Sequence, residues 1–265
     1  MKPLSSLMLC AILLCSCTAT RTNQQLYYAT HFVTPYVTEQ DMISANVSVN
    51  FSDGTERSIW GGNADVAYSP IKNMGVAGGY SFNKNKGSAH YSFNSGEIMV
   101  GYHVPINNFN TLFVSIYGGD KFGDMSANNY FDSSNNFRAK VTANFNDLFL
   151  QPSFIYVREK VSMQAGMRIT WRNYSNIKHY YNSFDEFIPG TYYFVQPFYD
   201  MAFGVEKYKI FFKYSASTMP KGRSYLGGDK HELVQLFWSD FSSSVSIGVR
   251  VDIKNAFQIN NRLTR

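Results

Sequence analysis

Cysteine is scarce and confined to one end. The chain of 265 residues holds three, Cys10, Cys15 and Cys17. Everything after Cys17 therefore lacks a disulfide framework, a thiolate metal site and a cysteine nucleophile. Charge is scarce too, at 16% of residues, where soluble domains carry about 25%. The net charge of +5 is spread along the chain, which excludes a nucleic-acid surface. No run of about 20 apolar residues follows the first 20 positions, so a helical membrane span is excluded. No extended helical period occurs. Aromatics, in contrast, reach 17%, with 19 Tyr and 22 Phe, which excludes intrinsic disorder. What is left is a tyrosine- and phenylalanine-rich chain of single-domain length, built from short segments.

Lys2 followed by the apolar stretch Leu7–Leu14 has the form of a secretory signal, too short to span a bilayer. It ends in Leu14-Cys15-Ser16-Cys17. This resembles the lipobox of bacterial lipoproteins, where a small residue precedes the cysteine that becomes the acylated first residue. Cys15 stands where Ala, Ser or Thr is commoner, which leaves Cys15 and Cys17 as alternatives; Cys17 fits better. The resemblance implies a signal peptide at 1–16 and a lipidated Cys17. Several acyl chains, at about 0.8 kcal/mol per buried methylene, make such an anchor effectively permanent. Segment 18–42 is polar and irregular, with two prolines, and reads as a linker from the anchor.

From Ile43 the period is two. Ile43, Ala45, Val47, Val49 and Phe51 alternate with Ser44, Asn46, Ser48 and Asn50. Val161, Met163, Ala165, Met167, Ile169 and Trp171 alternate with Ser162, Gln164, Gly166, Arg168, Thr170 and Arg172. Such alternation marks strands. The spacing predicts ten, at 43–52, 62–69, 74–83, 91–104, 111–122, 138–157, 161–173, 192–203, 208–219 and 233–253. Short connections alternate with long ones, as in up-and-down antiparallel transmembrane β-barrels. The segments 138–157 and 233–253 exceed the 9–11 residues of a spanning strand. Turns inside them, at Asn146-Asp147 or Ser242–Ser244, would give twelve strands; eight is the other possibility. Pro152 and Pro197 recur in matching settings, Phe149-Leu150-Gln151-Pro152 and Phe194-Val195-Gln196-Pro197, and predict two bulged strands with Gln pointing inward.

The polarity of the two strand faces separates barrel types. The apolar face is nearly free of charge, whereas the opposite face holds Asp65, Glu97, Arg168, Arg172, Asp200, Lys213, Arg250 and Asp252. A charge facing lipid costs about 2–4 kcal/mol at the midplane, so these side chains belong inside. Four acids and four bases can pair across a narrow lumen. A ten-stranded barrel is slightly wider than the eight-stranded one that side chains just fill, which predicts a plugged interior.

The lipobox, the strand Ile43–Phe51, the run Leu148-Phe149-Leu150-Gln151-Pro152-Ser153-Phe154, the turn Arg158-Glu159-Lys160 and the strand to Trp171 together resemble the small outer-membrane β-barrel lipoproteins of Gram-negative bacteria. The resemblance covers most of residues 43–253. It implies outer-membrane lipid, the barrel-assembly machinery and the lipoprotein-sorting machinery as partners. The chain departs from the pattern in ending with a polar tail, 254–265, where such barrels often end in an aromatic residue. With an even strand number, both barrel ends fall on the short-turn rim. With that rim in the periplasm, and with no acids in Thr18-Ala19-Thr20-Arg21, the expected anchor lies in the periplasmic leaflet.

Catalytic signals are weak. His31, His90, His103, His179 and His231 form no metal-type pair, so no metal and no cofactor are expected. His90-Tyr91-Ser92 distantly resembles lipid A deacylases, but Glu97, the nearest acid in sequence, belongs to the opposite strand face; Asp229, His231 and Glu232 resemble an omptin-type protease site but read as a solvated cluster in a long outer loop. No Gly-x-Ser-x-Gly elbow or Walker-type loop occurs. The expected function is non-enzymatic, structural or surface-interacting. A barrel-embedded hydrolase, a narrow pore and a soluble periplasmic lipid-binding barrel are the alternatives.

Overall fold

The structure is a computed structural model that describes residues 31–53, 59–84, 90–131, 137–180, 191–205, 207–218 and 241–254. Ten antiparallel strands close into one barrel. They are β1 (Ile43–Asp53), β2 (Ile59–Ile71), β3 (Met74–Lys84), β4 (His90–Pro105), β5 (Leu112–Phe131), β6 (Phe137–Val157), β7 (Val161–Tyr180), β8 (Thr191–Gly204), β9 (Tyr208–Thr218) and β10 (Phe241–Ile253). Each pairs with its sequence neighbours, and β1 closes on β10 with Ile43 opposite Ile253. Both barrel ends lie on the short-turn rim.

The register gives the geometry. A ladder row runs from Gln164 through Asp200, Lys213, Ser246, Asn50, Gly61, Asn83, Phe93 and Met125 to Ala143. The partner of Gln164 on β6 is Ile155, so one circuit climbs 12 residues, from Ile155 to Ala143. Ten strands with that stagger require a tilt of about 40° and a backbone radius of roughly 10 Å. The wall is uneven. β5, β6 and β7 have 20, 21 and 20 residues, whereas β1, β3 and β9 have 11.

Neither long segment hides a turn. Asp147 is paired on both sides, with Lys121 and Arg172, inside one continuous strand. Ser242, Ser243 and Ser244 pair with Ser217, Ala216 and Ser215, so the last strand begins at Phe241; positions 233–240 of that segment lie outside the described residues. The prolines act differently from expectation. Pairing lapses at Gln151-Pro152 against β7 and at Gln196-Pro197 against β9, yet the register on either side is unchanged. Each proline removes ladder donors without inserting a residue. The register shifts instead between Thr142 and Asn144 opposite Asn176, which has a positive φ of 51°, and between Tyr68 and Ile71. Gln151 and Gln196 do point inward and are buried.

The faces sort as the alternation requires. Val47, Val66, Ile98, Ile116, Leu148, Met167, Ile210, Ile247 and Val249 are exposed on the outside. Arg168, on the strand of Met167, is 1% exposed while Met167 is 44% exposed. Aromatic residues ring this apolar band: Tyr102, Phe154, Phe203 and Tyr208 near the short-turn ends, and Trp60, Phe122 and Tyr193 at the other boundary.

The largest difference from the sequence reading is at the amino-terminal side of β1. Segment 18–42 reads as a linker, but His31, Phe32, Val33, Thr34, Tyr36 and Val37 are buried inside the barrel. Val33, Tyr36 and Val37 belong to one apolar cluster with Ala67, Ala77, Met99, Phe113, Tyr117, Phe149 and Ile155. The physical reason is the bore. Wall side chains just fill an eight-stranded barrel, and ten strands leave room for a further strand of chain.

Candidate functional site

The lumen is the site, and its occupant is the chain itself. Residues 31–38 form no ladder with the wall, so their backbone groups need side-chain partners if they are not to be buried unpaired. The barrel supplies them. Lys121 Nζ donates to the His31 carbonyl at 2.8 Å, and Lys213 Nζ donates to that of Phe32. The Val33 amide donates to Glu97 Oε1. The Val33 carbonyl accepts from Gln151 Nε2 at 3.3 Å and Arg168 Nη2 at 3.2 Å. Thr34 Oγ1 donates to Asp200 Oδ2 at 2.8 Å.

Arg168 is the centre of this clamp. Its guanidinium meets Glu97 through two nitrogens, each at 3.0 Å, and Nε donates to Gln151 Oε1 at 2.8 Å. It lies 3.9 Å from the ring centre of Phe149 and 4.2 Å from that of Phe32. A planar cation with a two-pronged carboxylate partner and an aromatic on each face is held by geometry that lysine cannot reproduce. Lys213 Nζ sits 3.8 Å from the Phe32 ring centre, and Phe32 meets Phe198 edge to face at 5.3 Å.

A second unit lies nearer the short-turn rim. Arg250 Nη2 meets Asp200 at 2.8 Å, Nε donates to Asn46 at 2.9 Å, and the guanidinium is 4.6 Å from the Tyr36 ring. Asp252 accepts from Lys209 at 2.7 Å and from Ser44 at 2.8 Å. Asp65 accepts from Asn46 at 2.6 Å, with His31 Nε2 at 3.6 Å. A third unit stands further from that rim, where Arg172 meets both oxygens of Asp147 at 2.6 and 2.7 Å and lies 4.3 Å from the Phe145 ring.

All eight residues expected in the lumen are buried there. The structure pairs Arg168 with Glu97 and Arg250 with Asp200. Arg172 and Asp252 pair instead with Asp147 and Lys209, which the sequence reading missed, together with Lys121. Lys121 and Asp147 were obscured because outward-facing Asp120, Asp124 and Asn146 flank them and blur the polar alternation. The segment itself carried a signal. Inward positions 75, 77 and 79 of β3 are Gly, Ala and Gly. A Cβ on Gly79 would come within 2.7 Å of Val33 Cγ2, and one on Gly75 within 3.0 Å of Val37 Cγ2. Small residues every second position on one inner face mark where a second chain lies close.

The hydrolase candidates do not meet in the described residues. Ser92 lies on the outer face, the side chain of His90 is outside the described set, and Asp229, His231 and Glu232 lie outside it as well. Among the described residues no group of three or more His, Cys, Asp or Glu is placed to hold a metal.

No protein-family model matches the sequence, and no curated protein matches it. Solved barrels do align with it. The translocator domain of autotransporter NalP from Neisseria meningitidis aligns with a TM-score of 0.49 and 10% identity, over 80% of this chain and 88% of that one. Neisserial surface protein A aligns with a TM-score of 0.35 and 12% identity, over 79% and 95%. The amino-terminal barrel of Pseudomonas aeruginosa OprF aligns with a TM-score of 0.33 and 8% identity, over 81% and 98%.

Proposed function

We propose that this chain is a non-enzymatic, lipid-anchored β-barrel of the bacterial outer membrane, closed by its own amino-terminal segment, with a structural or surface-interaction role. The observation that carries the reading is the polarity of the wall. A soluble barrel keeps its apolar face inside; here Val47, Ile98, Ile210 and Ile247 face out, and Glu97, Arg168, Asp200, Lys213 and Arg250 face in. An exterior apolar band between two sets of aromatics is the surface a bilayer accepts. Polar outward residues on the tall strands, Asn94, Asp124 and Asn146, mark where the band ends. Above it β5–β7 stand clear and offer the surface on which an external partner would dock. Outer-membrane lipid and the assembly and sorting machineries are the partners this reading requires.

An occupied lumen argues against a pore. The test is fractionation with outer membranes, heat-modifiable migration on a gel, and conductance of the purified protein in planar bilayers. Outer-membrane recovery with conductance near background is expected. Recovery in the soluble periplasm would defeat the membrane reading, and large steady currents would replace the closed barrel by a pore. Incorporation of labelled palmitate that is lost in Cys17→Ala and kept in Cys15→Ala is expected for the anchor.

A further inference from the structure

The bore reads residues 31–37 largely through their main chain. Three successive carbonyls, those of His31, Phe32 and Val33, accept from Lys121, Lys213, Gln151 and Arg168, and the Val33 amide donates to Glu97. Pro35 is buried in the same stretch and has no N–H to satisfy. Main-chain contacts of this kind are open to any extended chain, because every non-proline residue carries the same donor and acceptor.

The side chains add a pattern with the period of an extended strand. Phe32, Thr34 and Tyr36 face β7–β10: Phe32 packs on Phe198 with Arg168 and Lys213 over its ring, Thr34 donates to Asp200, and Tyr36 lies beside Arg250. Val33 and Val37 meet β3, where Gly79 and Gly75 leave room for their methyl groups. Arg168 and Arg250, which border the path, are already paired with Glu97 and Asp200, and residues 32–38 carry no charge themselves. The seat therefore suits an uncharged extended peptide with aromatics four apart, a hydroxyl between them and branched aliphatic side chains on the alternate face.

We infer that the bore is a peptide-binding site, that residues 31–38 are its resident ligand held in cis, and that a separate extended peptide of the same pattern replaces them once the tether is cut. This rests on the closed barrel proposed above, and not on the anchor or on the membrane around the wall. A tethered segment acts at roughly millimolar effective concentration, so a modest intrinsic affinity keeps it seated without a ladder. The tether is accessible. Glu39 and Gln40 are exposed at the short-turn rim, just before the Asp41 amide donates to the Ser69 carbonyl at 2.8 Å, so cleavage there cuts no strand.

The test inserts a protease site between Glu39 and Gln40 of the full chain and adds Phe32→Ala to loosen the resident segment. The barrel is purified in detergent, checked for heat-modifiable migration, cut, and titrated with a labelled peptide of residues 31–38 in denaturant just below its unfolding transition. Saturable uptake is expected. A scrambled peptide of the same composition should bind about tenfold more weakly or worse. So should the native peptide on a Lys213→Met barrel, which loses a charge-assisted hydrogen bond to the Phe32 carbonyl. The uncut chain with its native Phe32 should take up little, because its own segment competes. Equal uptake of the scrambled peptide, or equal uptake by the uncut chain, overturns the proposal. Absence of uptake by the cut barrel overturns it as well; if the resident fragment has left, the closed barrel still stands and only the peptide site falls. Should Lys213→Met not fold, Gln151→Leu, which removes a donor to the Val33 carbonyl, takes its place.

Discussion

Arg168 concentrates the residue-scale argument, because it bonds the wall and the segment at once. Removing it leaves Glu97 buried beside an empty slot between Phe32 and Phe149, with Lys121 at 3.8 Å as its remaining cation. Stranding one partner of a buried pair costs about 3–5 kcal/mol. Arg168→Ala is therefore expected to lower the temperature of the heat-modifiable transition clearly. Arg168→Met with Glu97→Gln should cost less, since the closest charged pair is removed together and the stem still fills the slot, with Lys121 losing only its longer 3.8 Å contact to Glu97. An unchanged transition in Arg168→Ala would mean that water enters the lumen and solvates Glu97. Arg172 and Asp147 form a parallel two-pronged pair, so Arg172→Ala is expected to lower the same transition by a similar amount.

At the scale of the element, the segment is an extended piece of chain held by side chains in place of a ladder. Its seat on β3 depends on the absence of side chains at Gly75 and Gly79, where a Cβ would already crowd Val37 and Val33. Gly79→Leu should push the segment from the wall and also displace Asp65 on β2, whose Cβ would lie 2.7 Å from the added Cβ. The expected readout is fluctuating conductance in planar bilayers with a heat-modifiable barrel still present. Deletion of residues 31–38 should give larger and steadier currents. Silence from both variants would show that wall side chains alone close the bore. Phe32→Ala removes a ring packed on Arg168, Lys213 and Phe198 and should cost about 3–5 kcal/mol.

For the whole molecule, the two surfaces answer to different solvents. Ile210 is 66% exposed, and its outward neighbour across the ladder is Val249. Ile210→Arg puts a charge in the apolar band and should reduce stability by about 2–4 kcal/mol, according to depth. Yield of folded barrel in vesicles would check it, with tolerance counting against a bilayer around this wall. The ion pairs inside are buried, so raising salt from low to molar should move the thermal transition little. A surface network would be screened over a few ångströms at that ionic strength.

Strand number, closure and the in-or-out sense of each strand were legible in the residues, because a period of two is a local property. Ile43–Phe51 and Val161–Trp171 each state both faces without reference to any other part of the chain. The eight charges assigned to the lumen follow from the same rule. Their partners do not, because pairing depends on register and on the 12-residue climb of one circuit, which bring Arg172 to Asp147 and Lys209 to Asp252. The place of residues 31–38 was hidden for a related reason. A strand without a ladder has no alternation to display, and its sequence of His, Phe, Val, Thr, Pro, Tyr and Val reads as irregular chain. Only closure of ten strands created a bore wide enough to hold it, and only the buried side chains facing that bore supplied the hydrogen bonds that an unpaired backbone requires.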